Sequence, residues 1–327
     1  MTNPLKIAIL GTGGTIAGRA ASASDNLGYT AAQIGVEQLV GAIDALQELS
    51  QAGGLLTEQV TQLDSKDMAF AVWIQLAERV DAYLQRDDVQ GVVITHGTDT
   101  LEETAYFLQR VLNPAKPVVL TCAMRPATSL APDGPQNVMD AVSIAQYAGA
   151  SGVMVVCAGV IHSALDVQKV HTYQLDAFSS GDAGAVGYAE DGKLRLVRNW
   201  PLVTVSIGSI AMNNVAKYNL TSLLPGTAWP AVEIVMNVAG ASGTVVNALV
   251  ASGVRGLVAA GTGNGTLHHA LEAALLQAQS AGVKVVRATR CLNGKVLPKA
   301  GDVLPDSGGL SPVKARVEMM LSLMQRA

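Results

Sequence analysis

Charge is scarce in this 327-residue chain. Asp, Glu, Lys and Arg make up 15% of it, against roughly a quarter in an ordinary soluble domain. Aromatic residues are equally thin at 4%, while 49% of the chain is hydrophobic. That balance excludes a disordered chain, which combines low hydrophobicity with high charge. It implies either a sparsely charged surface or one partly covered by other subunits. A net charge of -4 and the lack of any basic run exclude nucleic acid as the main partner, and an anionic membrane surface with it. No stretch reaches the roughly 18 to 20 unbroken apolar residues that span a bilayer. Met1 to Leu10 is too short for a secretory signal and reads straight into a strand, so a cytoplasmic location is expected.

Other absences narrow the chemistry. Three cysteines, Cys122, Cys157 and Cys291, cannot all pair within the chain and show no CxxC, so buried free thiols are expected. There is no GxSxG elbow and no HExxH. The histidines His96, His162, His171, His268 and His269 lack the spacing to carboxylates that marks a metal site. His268 and His269, adjacent on an expected helix, should point in opposite directions. Metal-assisted chemistry is therefore not expected.

What is present is a repeating grammar of short apolar runs and longer segments of helical period, the mark of an α/β protein. Strands are predicted over Lys6 to Leu10, Gly91 to Thr95, Pro117 to Thr121 and Gly152 to Cys157, each apolar throughout as in a sheet covered on both faces. Helices are predicted from about Met68 to Leu84, after Thr100, and from Gly134-Pro135. Between Ala189 and Pro230 the pattern is interrupted by Asp191-Gly192, Pro201, Asn213-Asn214, Pro225-Gly226 and Pro230. It then restarts with strands at Val232 to Asn237, Gly256 to Ala260 and Val283 to Ala288. Helices lie at Ser242 to Ser252, Leu267 to Ala281 and from Pro312. The fold expected is a larger N-terminal α/β domain (1–189), a linker region (190–230) and a smaller C-terminal α/β domain (231–327), each a mostly parallel sheet flanked by helices.

Four segments carry candidate chemistry. Gly11-Thr12-Gly13-Gly14-Thr15-Ile16-Ala17-Gly18 follows the first strand but fails the dinucleotide fingerprint, with Ile16 where glycine is required, and fails the P-loop, with Arg19-Ala20 in place of Lys and a hydroxyl residue. It remains a glycine loop presenting the hydroxyls of Thr12 and Thr15, or a tight turn with threonines capping a helix. In Thr95-His96-Gly97-Thr98-Asp99-Thr100-Leu101-Glu102-Glu103, Thr100 and Glu103 fit a capping box, which leaves Thr98 and Asp99 for a ligand or for an Asx turn. Cys122-Ala123-Met124-Arg125-Pro126 followed by Asp133-Gly134-Pro135-Gln136-Asn137 reads as a polar connection opening a helix. Lys169, in Asp166-Val167-Gln168-Lys169, takes weight only from its company.

Taken together, GTGGTIAG (Gly11 to Gly18), THGTDTLEETAYFL (Thr95 to Leu108), AMRP (Ala123 to Pro126) and DGPQN (Asp133 to Asn137) resemble the bacterial-type L-asparaginase family over nearly the whole chain. The resemblance implies hydrolysis of L-asparagine, with L-glutamine a possible second substrate, and no cofactor. It also implies a homotetramer built as a dimer of dimers, with active sites between the subunits of each tight dimer. By the same resemblance Thr15 is the nucleophile and Tyr29 its activator, while Thr98, Asp99 and Lys169 are the second threonine and its partners. Ser65 binds the α-carboxylate, Asp99 the α-ammonium, and Ala123 makes a backbone contact to the reacting amide. A poor electrophile such as a carboxamide suits acyl transfer to a hydroxyl followed by hydrolysis. Lys169 can serve as a base only when neutral, a state that burial promotes and Asp99 opposes.

Two positions depart from the family pattern. Lys66 stands where many relatives carry Gln or Glu, and it would repel the α-ammonium unless its side chain turns away. No glutamate occupies Leu297 to Asp306, where a partner-subunit acid is expected; Asp302 is the nearest candidate, and Thr266 stands where some relatives place Asn. Altered α-amino recognition is therefore expected beside an intact hydrolytic set. A catalytically weak amino-acid sensor is the competing class, and it would have no need of both threonines and the lysine.

Overall fold

Strands form where β-branched runs are buried on both sides, because those side chains pack well on a covered pleated surface. The computed structural model describes residues 5–200, 218, 220–223 and 228–325, and the chain divides into two units, Met1–Leu202 and Val203–Ala327. In the first, β1 (Lys6–Gly13), β2 (Leu55–Leu63), β3 (Val89–Thr95), β4 (Pro117–Thr121) and β5 (Gly152–Cys157) run parallel. Antiparallel β6 (Val160–Ser163), β7 (Gly187–Glu190) and β8 (Lys193–Leu196) extend the sheet. Its order is β8-β7-β6-β5-β4-β3-β1-β2.

From β1 the chain steps to one side to make β2 and to the other to make β3. The strand order thus reverses at β1, and such a reversal opens a crevice at the carboxyl ends of the flanking strands. Gly11 of β1 pairs with Thr95 of β3, so these two ends are level. The connecting helices are α1 (Val36–Gly41), α2 (Asp44–Gln51), α3 (Phe70–Leu84), α4 (Leu101–Leu112) and α5 (Gly134–Ala145). Alternate strand residues Ile7, Ile9, Val93 and Val119 share a core with Leu39 of α1 and Ala141 of α5. Helices α3 and α4 pack against β3 and β5, and Trp73 stacks on Phe107 with ring centroids 5.0 Å apart.

The second unit holds parallel β9 (Val232–Met236), β10 (Gly256–Gly261) and β11 (Lys284–Thr289) in sequential order, with α6 (Thr244–Ala251), α7 (His269–Ser280) and α8 (Pro312–Met324). The two α/β domains expected from the sequence are present. Strand β2 is an addition, because its residues Leu-Leu-Thr-Glu-Gln-Val-Thr-Gln-Leu mix polar and apolar at a half-exposed edge and carry no continuous apolar run. Asp191-Gly192, read above as an interruption, is the two-residue turn of the β7-β8 hairpin, both residues at positive φ (52° and 70°). The first sheet therefore continues past residue 189. Pro201, Asn213-Asn214 and Pro225-Gly226 lie outside the described residues. Among the described residues no helix is long and apolar enough to cross a membrane.

Candidate active site

Beyond β1 the backbone turns through Gly13 and Gly14 at positive φ (102° and 81°). A Cβ on Gly14 would overlap Gly97 Cα and N, and a Cβ on Gly97 would overlap Ser65 Oγ. The loops after β1, β3 and β2 therefore meet at Gly14, Gly97 and Ser65, an approach that only glycine at the first two positions permits. Thr15 follows in a single 3-10 turn, nearly buried, with Oγ1 2.6 Å from Tyr29 Oη. Tyr29 reaches it through a short antiparallel ladder, Arg19–Ala20 against Tyr29–Thr30. At the tip of that hairpin Asp25 Oδ1 accepts from Gly28 N (2.7 Å) and Leu27 N (2.9 Å), which holds its carboxyl below the usual range. Leu130 N donates to Ala23 O (3.0 Å) and Ala20 N to Thr128 Oγ1 (2.9 Å), so the hairpin is docked on the segment after Pro126. Thr12, read above as a second presented hydroxyl, instead donates to Thr95 O (2.9 Å) and ties β1 to β3.

The second hydroxyl centre lies after β3. Lys169 Nζ donates to Thr98 Oγ1 (2.8 Å) and to Asp99 Oδ1 (2.6 Å), which makes Asp99 an ion-pair partner rather than the anchor of an Asx turn. Lys169 is placed by a two-residue ladder with Phe178–Ser179, and its own N–H donates to Glu102 Oε1 (3.3 Å). Asp99 N donates to Ser65 Oγ (3.2 Å). The capping box does not form: Thr100 makes no side-chain cap to α4, and its hydroxyl donates to Ser65 O (2.8 Å). That hydroxyl has been diverted to hold the β2 loop against the β3 loop.

Behind Thr98 sits His96, fully buried, its Nδ1 2.7 Å from Gly97 O and its Nε2 3.0 Å from Thr104 Oγ1, which also accepts from Trp73 Nε1 (2.9 Å). A carbonyl only accepts, so Nδ1 carries the proton and Nε2 accepts from Thr104. Burial pushes the His96 pKa down to about 4. Sequence reasoning assigned this histidine nothing beyond a lack of metal ligands.

Lys66 turns onto Asp64 (2.5 Å) and Asp67 (3.6 Å), and the Asp64 carboxylate raises its pKa. Ala123 lies fully buried just past β4. Asp133, also passed over as part of a polar connection, accepts from Met124 N (2.9 Å) and Arg125 N (3.0 Å), and Asn137 Nδ2 donates to Cys122 O (2.8 Å). In the second unit Thr266 bridges Thr262, its Oγ1 donating to Thr262 O (3.0 Å). There too, Asp302 Oδ2 accepts from Arg287 Nη2 (2.6 Å) and Lys299 N (2.9 Å), so both contacts engage the carboxylate within its own domain.

Cys122 and Cys157 are buried free thiols with sulfurs 3.6 Å apart, and the Cys157 contact together with burial pushes the Cys122 thiol up. Cys291 is exposed, contrary to expectation, since it falls after β11 in a surface connection. His268 and His269 do not diverge. His268 is the extended N-cap of α7, not part of it, and the two rings stack with centroids 4.3 Å apart. Among the described residues no group of three or more His, Cys, Asp or Glu could hold a metal ion.

Comparison with known proteins places the chain in a family. The profile described as "Asparaginase, N-terminal" matches residues 6–202, and "Glutaminase/Asparaginase C-terminal domain" matches 231–327. Escherichia coli (strain K12) "L-asparaginase 2" is 40% identical, the match covering 98% of this chain and 89% of the relative. "Glutaminase-asparaginase" of Pseudomonas fluorescens biotype A is 34% identical, covering 98% and 87%. The crystal structure of a protein described as the probable cytoplasmic L-asparaginase of Campylobacter jejuni superposes with a TM-score of 0.87 at 37% identity, covering 98% of this chain and 95% of that one. With both domains matched and relatives aligned over nearly their full length, the chain belongs to the asparaginase/glutaminase family.

Proposed function

We propose that this protein hydrolyses L-asparagine to L-aspartate and ammonia through an acyl-threonine. Thr15 Oγ attacks the side-chain carboxamide, the C–N bond breaks, and the nitrogen leaves as ammonia carrying the proton that Thr15 gave up. Water then cleaves the ester, returning the proton to Thr15 and releasing aspartate. Tyr29, 2.6 Å from Thr15 Oγ1, relays the first proton, accepting the Thr15 hydrogen as it passes its own hydroxyl hydrogen on toward the leaving nitrogen. Thr98, Lys169 and Asp99 form the second hydroxyl centre, and the developing negative oxygen needs backbone N–H donors, which we assign to Thr98 or Ala123. Ser65 receives the α-carboxylate and Asp99 the α-ammonium, while the Ala123 carbonyl holds the amide nitrogen. Lys66, paired to Asp64, does not oppose the α-ammonium in this arrangement.

The observation that carries this reading is the meeting of two independent hydroxyl centres at the strand reversal, Thr15 with Tyr29 and Thr98 with Lys169 and Asp99. Relatives described as glutaminase-asparaginases support L-glutamine as a second substrate. Self-association as a homotetramer, with Thr266 and Asp302 near a neighbour's site, is supported by exposed apolar side chains such as Val170, Tyr173, Val245 and Leu297. The cytoplasm is the location we favour, on the description of the Campylobacter relative, although a Haemophilus influenzae relative is described as periplasmic.

The test is ammonia release from L-asparagine, L-glutamine and an α-amino-blocked asparagine. Wild-type protein should release ammonia from L-asparagine, and Thr15→Ala and Thr98→Ala should each lower the rate roughly a thousandfold or more. No ammonia from any substrate would favour an amino-acid sensor.

A further inference from the structure

We infer that Asp133 and Asn137 are positioning residues that aim the Ala123 carbonyl at the leaving nitrogen of the substrate. The inference rests on the asparagine-hydrolase reading above. Its starting point is DGPQN, which the catalytic roles leave without a task.

Asp133 is the N-cap of α5, yet its side chain makes no cap bond to that helix. Its carboxylate reaches backward instead, accepting from Met124 N (2.9 Å) and Arg125 N (3.0 Å). One turn along α5, Asn137 is 2% exposed; its Nδ2 donates to Cys122 O (2.8 Å) and Asp133 Oδ2 (3.3 Å), and its Oδ1 accepts from Ala158 N (3.0 Å). A backbone carbonyl only accepts and a backbone N–H only donates, so the amide orientation is unambiguous. The two side chains thus grip both peptide units that flank the Ala123 Cα.

Peptide geometry converts that grip into direction. No cis peptide is present among the described residues, and in a planar trans unit the N–H and C=O point opposite ways. With Met124 N–H tied to Asp133, the Ala123 carbonyl in the same unit must point away from α5. The Thr121 hydroxyl shares its one hydrogen between Val156 O (2.8 Å) and Asn137 O (3.2 Å), sewing the ends of β4 and β5 to the same helix turn. A Cβ on Gly134 would lie 2.9 Å from Ile16 Cγ1 and 3.5 Å from Ala123 Cβ, so the start of α5 also abuts the residue after Thr15. One helix terminus therefore sets the carbonyl and backs the nucleophile loop.

An aimed carbonyl helps only a leaving group that carries N–H. An amide has those hydrogens and an ester does not, while both substrates give the same acyl-enzyme. The experiment compares kcat/KM for L-asparagine and for the β-methyl ester of L-aspartate in wild type, Asp133→Asn and Asn137→Ala, with folding checked by circular dichroism. We expect each variant to lose about 10- to 100-fold on the amide and less than about threefold on the ester. Equal loss on both substrates, or no loss on the amide, overturns the inference, because a general structural defect does not discriminate between leaving groups. If Asp133→Asn does not fold, the amide-to-ester ratio of Asn137→Ala decides between these outcomes. Failure of wild-type protein to hydrolyse asparagine would instead overturn the function itself.

Discussion

Single residues here are committed by the bonds they make, and several commitments differ from what their type suggests. Thr12, Thr15, Thr98 and Thr100 are all hydroxyls beside glycine-rich turns, yet Thr12 and Thr100 bind backbone carbonyls while Thr15 and Thr98 face Tyr29 and Lys169. Sequence type cannot separate them, because the distinction is which carbonyl lies within 3 Å after folding. His96 is a sharper case. Its pKa is about 4 in the fold against 6.5 ordinarily, so between those values the unfolded chain binds a proton that the folded chain refuses. Its contribution to stability is full above pH 6.5 and is lost as pH falls toward 4, by about 3 kcal/mol at most. Urea unfolding of His96→Gln at pH 7 and pH 4.5 should show about 2 to 3 kcal/mol less acid destabilisation than wild type. An unchanged pH slope would mean that His96 titrates normally.

Among elements, the strand ends do the assembling. β1, β3 and β4 were legible as apolar runs, and the loops after them were legible as glycine and hydroxyl motifs. β2 was not, because an edge strand with one wet face lacks a continuous apolar run. That omission hid the reason for Ser65, which stands at the end of β2 and receives Asp99 N and Thr100 Oγ1 across the reversal. It also hid the task of Gly14 and Gly97, which let three loops touch. Gly14→Ala must displace the Gly97 backbone and hold an alanine at φ 81°. We expect a loss of about 1 to 3 kcal/mol in denaturant unfolding, consistent with overpacking, and activity reduced beyond what the lost stability explains. Unaltered unfolding would show that these loops can separate without penalty.

For the whole molecule, the scarcity of charge is matched by apolar side chains left exposed on both units, Tyr173 in the first and Val245, Leu292 and Leu297 in the second. A single chain would hold that surface in water, and association removes it. Sedimentation equilibrium at working concentration should therefore give a tetramer mass, and a monomer would contradict the proposed assembly. The sequence by itself determined the class of fold and many of its elements, because buried strands and amphipathic helices leave periodicities that survive in one dimension, and its motifs carried the resemblance to the family. It also placed the two threonine motifs, because glycine and hydroxyl residues after strands are local features. Only the tertiary structure decided which hydroxyls bind backbone carbonyls and which face Tyr29 and Lys169, and that Lys66 turns to Asp64. It likewise decided that Asp302 is engaged by Arg287 and that DGPQN grips the backbone around Ala123. Those outcomes depend on which atoms the folded backbone brings to hydrogen-bond distance, two residues apart for Lys66 and Asp64 and 71 for Lys169 and Thr98, and no sequence pattern encodes that distance.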